Sequence, residues 1–113
     1  MSAHDSASTQ ANALEAAILA RLSVAGSPVD ASKLTVVSRE ITGAGSYTTF
    51  ATASPPPDLW RDRIGFDTLI EVPGVPNGLG AVLWLNSNLP LCLEIYTFNG
   101  DFWDGSFEGY SLK

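Results

Sequence analysis

Two apolar runs separated by a short polar break dominate the second half of the chain. The first run covers residues 79–85 and the second covers residues 89–98, with Asn-Ser-Asn between them. Two strand-like runs joined by such a break are typical of a β-hairpin. No other stretch of the sequence is apolar for as long, so we expect this hairpin to form the centre of the fold.

Nearer the N-terminus, the pattern predicts one helix over about residues 8–25. Leu14, Ile18 and Leu22 recur every four residues and form a single apolar stripe. A lone helix of this length is marginal in water. The apolar stripe is therefore expected to pack on the sheet.

Both ends of this helix carry sequence signals. Asn12 and Glu15 have the spacing of a capping box, which makes Asn12 an alternative start of the regular helix. Gly26 and Pro28 are residue types that commonly follow the end of a helix. Residues 1–7 are mostly small and polar and are expected to be disordered.

Short runs bounded by turn residues predict four further strands. The first two are joined by the glycine turn at residues 43–45, which favours an antiparallel pair. The last lies in a glycine-spaced aromatic and acidic segment and is expected to be weak. The four predicted strands cover residues 33–42, 47–53, 67–72 and 106–112.

Two segments depart from simple alternation. Val36 and Val37 are adjacent, which indicates either that both faces of the strand are covered or that a β-bulge re-phases it. Residues 54–66 contain three consecutive prolines and are predicted to form a loop. A single helical turn after Asp58 is an alternative within that loop.

Short connections between the predicted strands leave no room for crossover helices, so the sheet should be mostly antiparallel. The sequence predicts a single α+β domain over residues 1–113, with the sheet between residues 32 and 112. One N-terminal helix packs on a curved, mostly antiparallel sheet of five or six strands. Curvature is expected at Gly45, Gly65, Gly78 and Gly80.

The charge balance limits the classes of partner. The chain has 12 acidic and 6 basic residues, which gives a formal net charge of −6. Phosphate groups repel such a chain, so nucleic acids and anionic membranes are not expected as partners. A basic protein is the partner that this charge favours. The alternative is a charged surface that only maintains solubility.

The few cysteine and histidine residues limit the catalytic chemistry that the sequence predicts, and the N-terminal sequence indicates the cellular compartment. Cys92 is the single cysteine, and its apolar strand pattern predicts a small buried hydrophobic residue. His4 is the single histidine and lies in the expected disordered start, so no thiol–imidazole pair is predicted. The N-terminus lacks a signal-peptide pattern, and no segment is long enough to span a membrane. These observations predict a cytoplasmic protein.

The first candidate site is a pocket on a concave sheet face. Glu94 alternates with the apolar residues of its strand and therefore shares a face with Cys92. Arg39 is the expected partner of this carboxylate, either as a structural ion pair or in a catalytic role. No metal site or cofactor is predicted, because the strand glutamates lack ligand spacing with further His, Cys or Asp residues. The candidate pocket residues are Arg39, Tyr47, Glu71 and Glu94.

The second candidate site lies in the C-terminal segment. Four acids and no base occur from Glu94 to Glu108, interleaved with aromatic residues. Aromatic residues are enriched at the hot spots of protein interfaces. The alternative is that these rings cover the open end of a small core. The candidate acidic and aromatic face consists of Asp101, Phe102, Trp103, Asp104 and Glu108.

Parts of the sequence resemble a family of small uncharacterised bacterial proteins. The resemblance covers the last two thirds of the chain and does not reach the N-terminal helix. It implies a small α+β fold and a cytoplasmic bacterial setting, and it brings no activity or catalytic residue. In size and charge the chain is similar to immunity proteins, which neutralise a toxin by binding it. The matching phrases are Ser38-Arg39-Glu40, residues 42–45 and 47–50, residues 78–85, Leu93-Glu94-Ile95-Tyr96 and Trp103.

These features support three functional hypotheses. The favoured one is a protein-interaction module, of immunity type in its sharpest form, that binds through the acidic and aromatic face. The second is a small-molecule-binding domain or an enzyme that uses the pocket with Arg39 and Glu94. The third is a homo-oligomer formed through an exposed strand edge. The sequence favours binding over catalysis, because it shows no histidine, phosphate-loop or metal pattern in its strands.

Overall fold

In the part of the chain that the structure describes, one α-helix packs with a six-stranded sheet. The structure is a computed structural model and describes residues 10–51 and 62–113. A separate two-stranded hairpin and a short 3₁₀ turn connect the helix to the sheet. The elements are α1 (Ala13–Ala20), β1 (Ser23–Val24), β2 (Ser27–Pro28), the 3₁₀ turn (Ala31–Lys33), β3 (Val36–Ile41), β4 (Gly45–Phe50), β5 (Asp62–Glu71), β6 (Leu79–Asn86), β7 (Leu89–Thr97) and β8 (Ser111–Leu112).

The large sheet is antiparallel throughout, in the order β3-β4-β7-β6-β5-β8. The predicted α+β class, with one helix on an antiparallel sheet of five or six strands, is confirmed. β6 and β7 are the predicted hairpin, and they occupy the middle of the strand order. Their connection is Ser87 (φ 52°) and Asn88 (φ 68°), and two left-handed residues are what a type I′ turn requires.

Helix α1 is shorter than predicted. Asn12 is its N-cap, and the capping box with Glu15 is present, so the alternative start is confirmed. The predicted end near residue 25 is wrong, because β1 and β2 form a hairpin in place of the last helical turn. Ala25 (φ 54°) and Gly26 (φ 85°) form the turn of that hairpin. Gly26 therefore closes a hairpin and does not follow the helix end.

Strand β3 begins later than the predicted residue 33. The side chain of Asp30 accepts a hydrogen bond from the backbone N–H of Ser32 and caps the 3₁₀ turn that precedes the strand. The predicted bulge is present, since the pairing register with β4 shifts between Val36 and Ser38. Val36 is buried, whereas Val37 is 59% exposed. The bulge thus inserts one extra residue between the buried valine and the rest of the strand.

Strand β5 begins five residues before the predicted residue 67. Residues 62–66 pair with β6, so the predicted loop over 54–66 is wrong for that part. Ile64 and Phe66 alternate with more exposed residues, which is the period of a half-buried strand. Residues 52–61 and the predicted helical turn after Asp58 lie outside the described residues, as do the first seven residues of the chain.

The last predicted strand is reduced to Ser111–Leu112, which pairs with the end of β5. Gly105 (φ 90°) directly precedes the predicted range, and Gly109 (φ 80°) lies within it. Both have left-handed backbone conformations. Such conformations interrupt an extended ladder. Residues 106–110 are therefore not part of a strand, and residues 108–109 form a turn.

The core lies between α1 and one face of the sheet. Leu14, Ile18 and Leu19 of the helix are almost completely buried against Leu93 and Ile95 of β7 and their neighbours. We call the other side of the sheet the outer face; it carries Glu40, Tyr47, Val82, Trp84, Glu94 and Tyr96. Within residues 10–51 and 62–113, the structure contains no helix of the length and apolarity needed to cross a membrane.

Candidate functional site

The structure separates the four predicted pocket residues. Arg39 lies on the helix side of the sheet, opposite Thr48 of β4. Tyr47 and Glu94 lie together on the outer face, as cross-strand neighbours of β4 and β7. Glu71 is exposed at the end of β5, with its carboxylate 3.6 Å from the ammonium group of Lys113. Only the Tyr47–Glu94 pair of this candidate pocket is brought together.

Arg39 binds Glu15 of the helix, so the predicted pairing of Arg39 with Glu94 is wrong. The guanidinium donates from Nε to Oε2 of Glu15 at 2.9 Å and from a terminal nitrogen to Oε1 at 2.6 Å. This hydrogen-bonded ion pair raises the pKa of Arg39 above its ordinary value. The bulge in β3 is the physical cause, because the inserted residue turns Arg39 to the helix side of the sheet.

Glu15 is a buried carboxylate whose hydrogen bonds are all made within the fold. Its side chain is 2% exposed. Besides the two bonds from Arg39, it accepts one from the hydroxyl of Thr48 at 2.6 Å and one from the backbone N–H of Asn12 at 2.8 Å. One carboxylate therefore joins the helix N-terminus to β3 and β4. Burying a charge is tolerated when it is paired and hydrogen-bonded in this way.

Glu94 is the centre of a polar and aromatic cluster on the outer face. Its two carboxylate oxygens accept hydrogen bonds from the Tyr47 hydroxyl at 3.2 Å and from the indole N–H of Trp84 at 3.1 Å. The charge of Glu94 raises the pKa of Tyr47, because a phenolate would be repelled by the carboxylate. The guanidinium of Arg63 lies 5.6 Å from the centre of the Trp84 ring, in cation–π geometry.

A shallow groove of about 330 Å³ runs beside this cluster at one end of the sheet. Tyr47, Glu94 and Tyr96 line it together with backbone of the β3–β4 turn. Glu94 is the one carboxylate among the described residues that line it, and Thr42 and Thr97 add hydroxyl-bearing side chains. Within the part of the chain that the structure describes, no three His, Cys, Asp or Glu side chains are grouped closely enough to hold a metal ion.

Cys92 is completely buried, which confirms the prediction of a small buried hydrophobic residue. Burial raises the pKa of its thiol to about 11, and a weak hydrogen bond from the Thr49 hydroxyl at 4.0 Å opposes that shift only in part. The reactive form of a cysteine is the thiolate. Burial and the raised pKa therefore both disfavour reaction of this thiol in the folded protein.

We expect Cys92 to react with Ellman's reagent at pH 8 at least about 100-fold more slowly in the native protein than in the unfolded chain. The raised pKa lowers the thiolate fraction, and burial blocks the reagent. The absorbance of the released thiolate gives both rates, with the denatured protein as the matched control. Comparable rates in the two states would show that the thiol is accessible.

The residues of the acidic and aromatic face differ in exposure. Trp103 is 4% exposed and belongs to the core, as the structural alternative predicted for such rings. Its indole N–H donates to the backbone oxygen of Ser106 at 2.8 Å. Phe102, the preceding residue, is 70% exposed. We call residues 101–106 the Phe102 loop.

The three predicted carboxylates of this face have different environments. The carboxylate of Asp101 accepts hydrogen bonds from the backbone and side-chain amides of Asn77, each at 3.1 Å. Asp104 accepts the backbone N–H of Ser106 at 2.9 Å, and this bond holds the pKa of Asp104 below its ordinary value. Glu108 is exposed to solvent. Asp101 and Asp104 therefore also fix the shape of the loop.

Sequence reasoning missed three residues that organise these sites. Glu15 was identified as a capping residue, but its ion pair with Arg39 depends on where the helix packs. Trp84 and Arg63 support the outer-face cluster with Glu94. The alternation of Arg63, Ile64, Gly65 and Phe66 is a strand signal that would have placed Arg63 on this face.

Comparison of the chain with protein-family models, with curated proteins and with solved structures gives no match.

Proposed function

We propose that the chain is a protein-interaction module that binds one basic protein partner through the Phe102 loop. The observation that carries the proposal is the contrast between two adjacent aromatic residues. Phe102 is 70% exposed, while Trp103 is buried in the core. A large apolar ring held in solvent beside a buried anchor resembles the aromatic hot spots of protein interfaces.

The loop is held in one conformation by hydrogen bonds to the rest of the fold. The backbone N–H of Trp103 donates to the backbone oxygen of Gly43 in the β3–β4 turn at 2.9 Å. Asn77 binds Asp101 at the start of the loop, and Ser106 binds Asp104 near its end. A pre-organised loop loses little conformational entropy when a partner binds, and this favours affinity.

Charge supports a basic partner. Asp101 and Asp104 flank Phe102, and the sequence from Glu94 to Glu108 contains no base. An acidic surface attracts a basic protein over several ångströms and raises the rate of association. In its sharpest form, the proposal is an immunity-type role in which the protein neutralises a basic toxin by binding it. A cytoplasmic bacterial setting is part of that form.

We expect the change Phe102→Ser to weaken partner binding by about tenfold or more, because it removes the exposed ring and leaves the fold unchanged. The partner is first captured from native lysate on the immobilised protein and released by a salt step. Its affinity for the wild-type and variant proteins is then measured by calorimetry.

The matched control for this experiment is Leu89→Ser. Leu89 is 52% exposed and follows the β6–β7 turn, at the other end of β7 from the Phe102 loop. The control variant should bind like the wild-type protein. Equal loss of affinity in both variants, or no loss in the Phe102 variant, would show that the partner binds elsewhere.

A further inference from the structure

Among residues 10–51 and 62–113, only a short segment pairs with the outer edge of strand β5. β8 pairs with Ile70 and Glu71, and the N–H of Lys113 adds one hydrogen bond to the backbone oxygen of Leu69. Along residues 62–68, the described part of the chain supplies no further strand on that edge. An unpaired edge of this length is a template for pairing with another chain.

The sequence of this edge is complementary to itself. Gly65 lies midway between Arg63 and Asp67, so an antiparallel pair of two β5 strands can be centred on Gly65. In that register Arg63 of each copy is opposite Asp67 of the other. Ile64 is then opposite Phe66. Opposite charges that face each other across two antiparallel strands stabilise the pair.

The side-chain directions in β5 fit this register. Arg63 and Gly65 pair with Trp84 and Val82 of β6, which places both on the outer face. Asp67 is exposed, and alternation from Gly65 places it on the same face. It directly follows Phe66, after which the register with β6 becomes irregular as far as Ile70. A Cβ added at Gly65 would meet no atom within 4 Å, so the space between the two charged residues is open.

The charges on this edge do not protect it against pairing with a second copy. Edges are commonly protected by charged residues, which repel a second copy when they have one sign. Here a base and an acid lie at equal distances on either side of Gly65. A two-fold axis through Gly65 therefore places the arginine of each copy opposite the aspartate of the other copy.

We propose that two copies of the chain associate through their β5 edges, antiparallel and with Gly65 on the two-fold axis, so that Arg63 of each copy pairs with Asp67 of the other. The interface is isologous and joins two six-stranded sheets into one. It uses no residue of the Phe102 loop, so it is independent of the proposed function. A strand-edge contact of this length is smaller than a standard interface of about 1,600 Å², so the dimer dissociates on dilution.

Charge reversal tests the pairing directly. In sedimentation equilibrium, the average mass of the wild-type protein should rise towards twice the monomer mass as the concentration increases. Arg63→Asp and Asp67→Arg each place like charges opposite each other twice, and each should raise the dimer dissociation constant by about tenfold or more. An equimolar mixture of the two variants restores both opposite-charge pairs and should dimerise like the wild-type protein.

A disulfide tests the register. Residues directly opposite in an antiparallel ladder have Cα atoms about 4.5–5.5 Å apart, which is within disulfide range. Gly65→Cys should therefore form a cross-linked dimer under mild oxidation, while Leu89→Cys at the β6–β7 turn should not. Circular dichroism establishes that each variant is folded.

Several outcomes would overturn the proposal. A wild-type protein that stays monomeric at every concentration would do so. A mixture of the two charge variants that fails to dimerise, or reversal variants that dimerise unchanged, would exclude the Arg63–Asp67 pairing. Equal cross-linking through position 65 and position 89 would exclude the register.

Discussion

The substitution Arg39→Met is expected to lower the free energy of unfolding by about 3–5 kcal/mol. The methionine keeps most of the apolar stem of the arginine but removes the guanidinium. Glu15 then remains as a carboxylate that is 2% exposed and has lost two of its four hydrogen bonds. An unpaired buried charge costs more than the loss of an attraction between two solvated charges.

Substitution of the other member of the ion pair distinguishes the cost of an unpaired buried charge from the cost of a lost contact. Arg39 is 21% exposed, so in Glu15→Met its guanidinium can regain water. We therefore expect Glu15→Met to cost less, about 1–3 kcal/mol, which includes the lost capping-box bond. The double variant should be more stable than Arg39→Met alone, because it leaves no unpaired carboxylate.

Guanidinium unfolding of the three variants gives these values. The matched control is Lys113→Met, which removes the exposed pair between Lys113 and Glu71 and should change stability by no more than about 0.5 kcal/mol. If Arg39→Met were as mild as this control, Glu15 would have to be solvated in the native state. The buried network would then not hold the helix to the sheet.

The substitution Gly45→Ala is expected to destabilise the protein by about 3 kcal/mol or more. An added Cβ would lie 2.0 Å from the backbone oxygen of Ile95 and 3.0 Å from the Cα of Tyr96. Both obstacles are backbone atoms of the neighbouring strand, so no side-chain rotation relieves the overlap. Strands β4 and β7 must separate at that point, and this disrupts a ladder near the centre of the sheet.

Gly65→Ala is the matched control, since it is the same change in another strand of the sheet. An added Cβ at Gly65 meets no atom within 4 Å, and its backbone is not left-handed. The unfolded chain also loses conformational freedom with alanine, so we expect stability to stay the same or rise by about 0.4–1 kcal/mol. Urea unfolding at low protein concentration compares the two variants. Equal stabilities would show that β4 and β7 are not in close contact at Gly45.

Features set by neighbouring residues could be predicted from the sequence. The capping box of Asn12 and Glu15 and the β6–β7 hairpin depend on residues a few positions apart, and both are present. The bulge after Val36 was one of two interpretations of the adjacent valines, and the structure shows that it is present. For the capping box and the hairpin, the residue types and their spacing contain the signal.

The errors arose where pairing between strands decides the outcome. The helix ends at Ala20 because the following residues find partners in the β1–β2 hairpin. Strand β5 begins at Asp62 because β6 is beside it, although the preceding prolines suggest a longer loop. In the first case a local hairpin replaced the last predicted helical turn, and in the second case pairing with a distant strand overrode the local loop signals.

The candidate sites show the same division. Tyr47 and Glu94 were expected together in the candidate pocket on a concave sheet face, and they hydrogen-bond on the outer face. The partner of Arg39 was predicted wrongly because the phase after the bulge and the position of the helix both determine it. The opposite environments of Phe102 and Trp103 also depend on how the C-terminal segment packs on the core. Composition showed an acidic and aromatic segment without showing which ring is exposed.

The sequence by itself determined the α+β class, the central hairpin, the acidic charge and the burial of Cys92, and it offered the helix start at Asn12 as an alternative. These properties follow from residue type and short-range period, which act within a few positions of the chain. Only the tertiary structure decided that Glu15 binds Arg39 and that Phe102 is exposed beside a buried Trp103. It also decided that, among the described strands, β8 covers only the end of the outer β5 edge. Each of these depends on contacts between segments far apart in sequence, and their geometry is fixed only when the sheet and helix pack together.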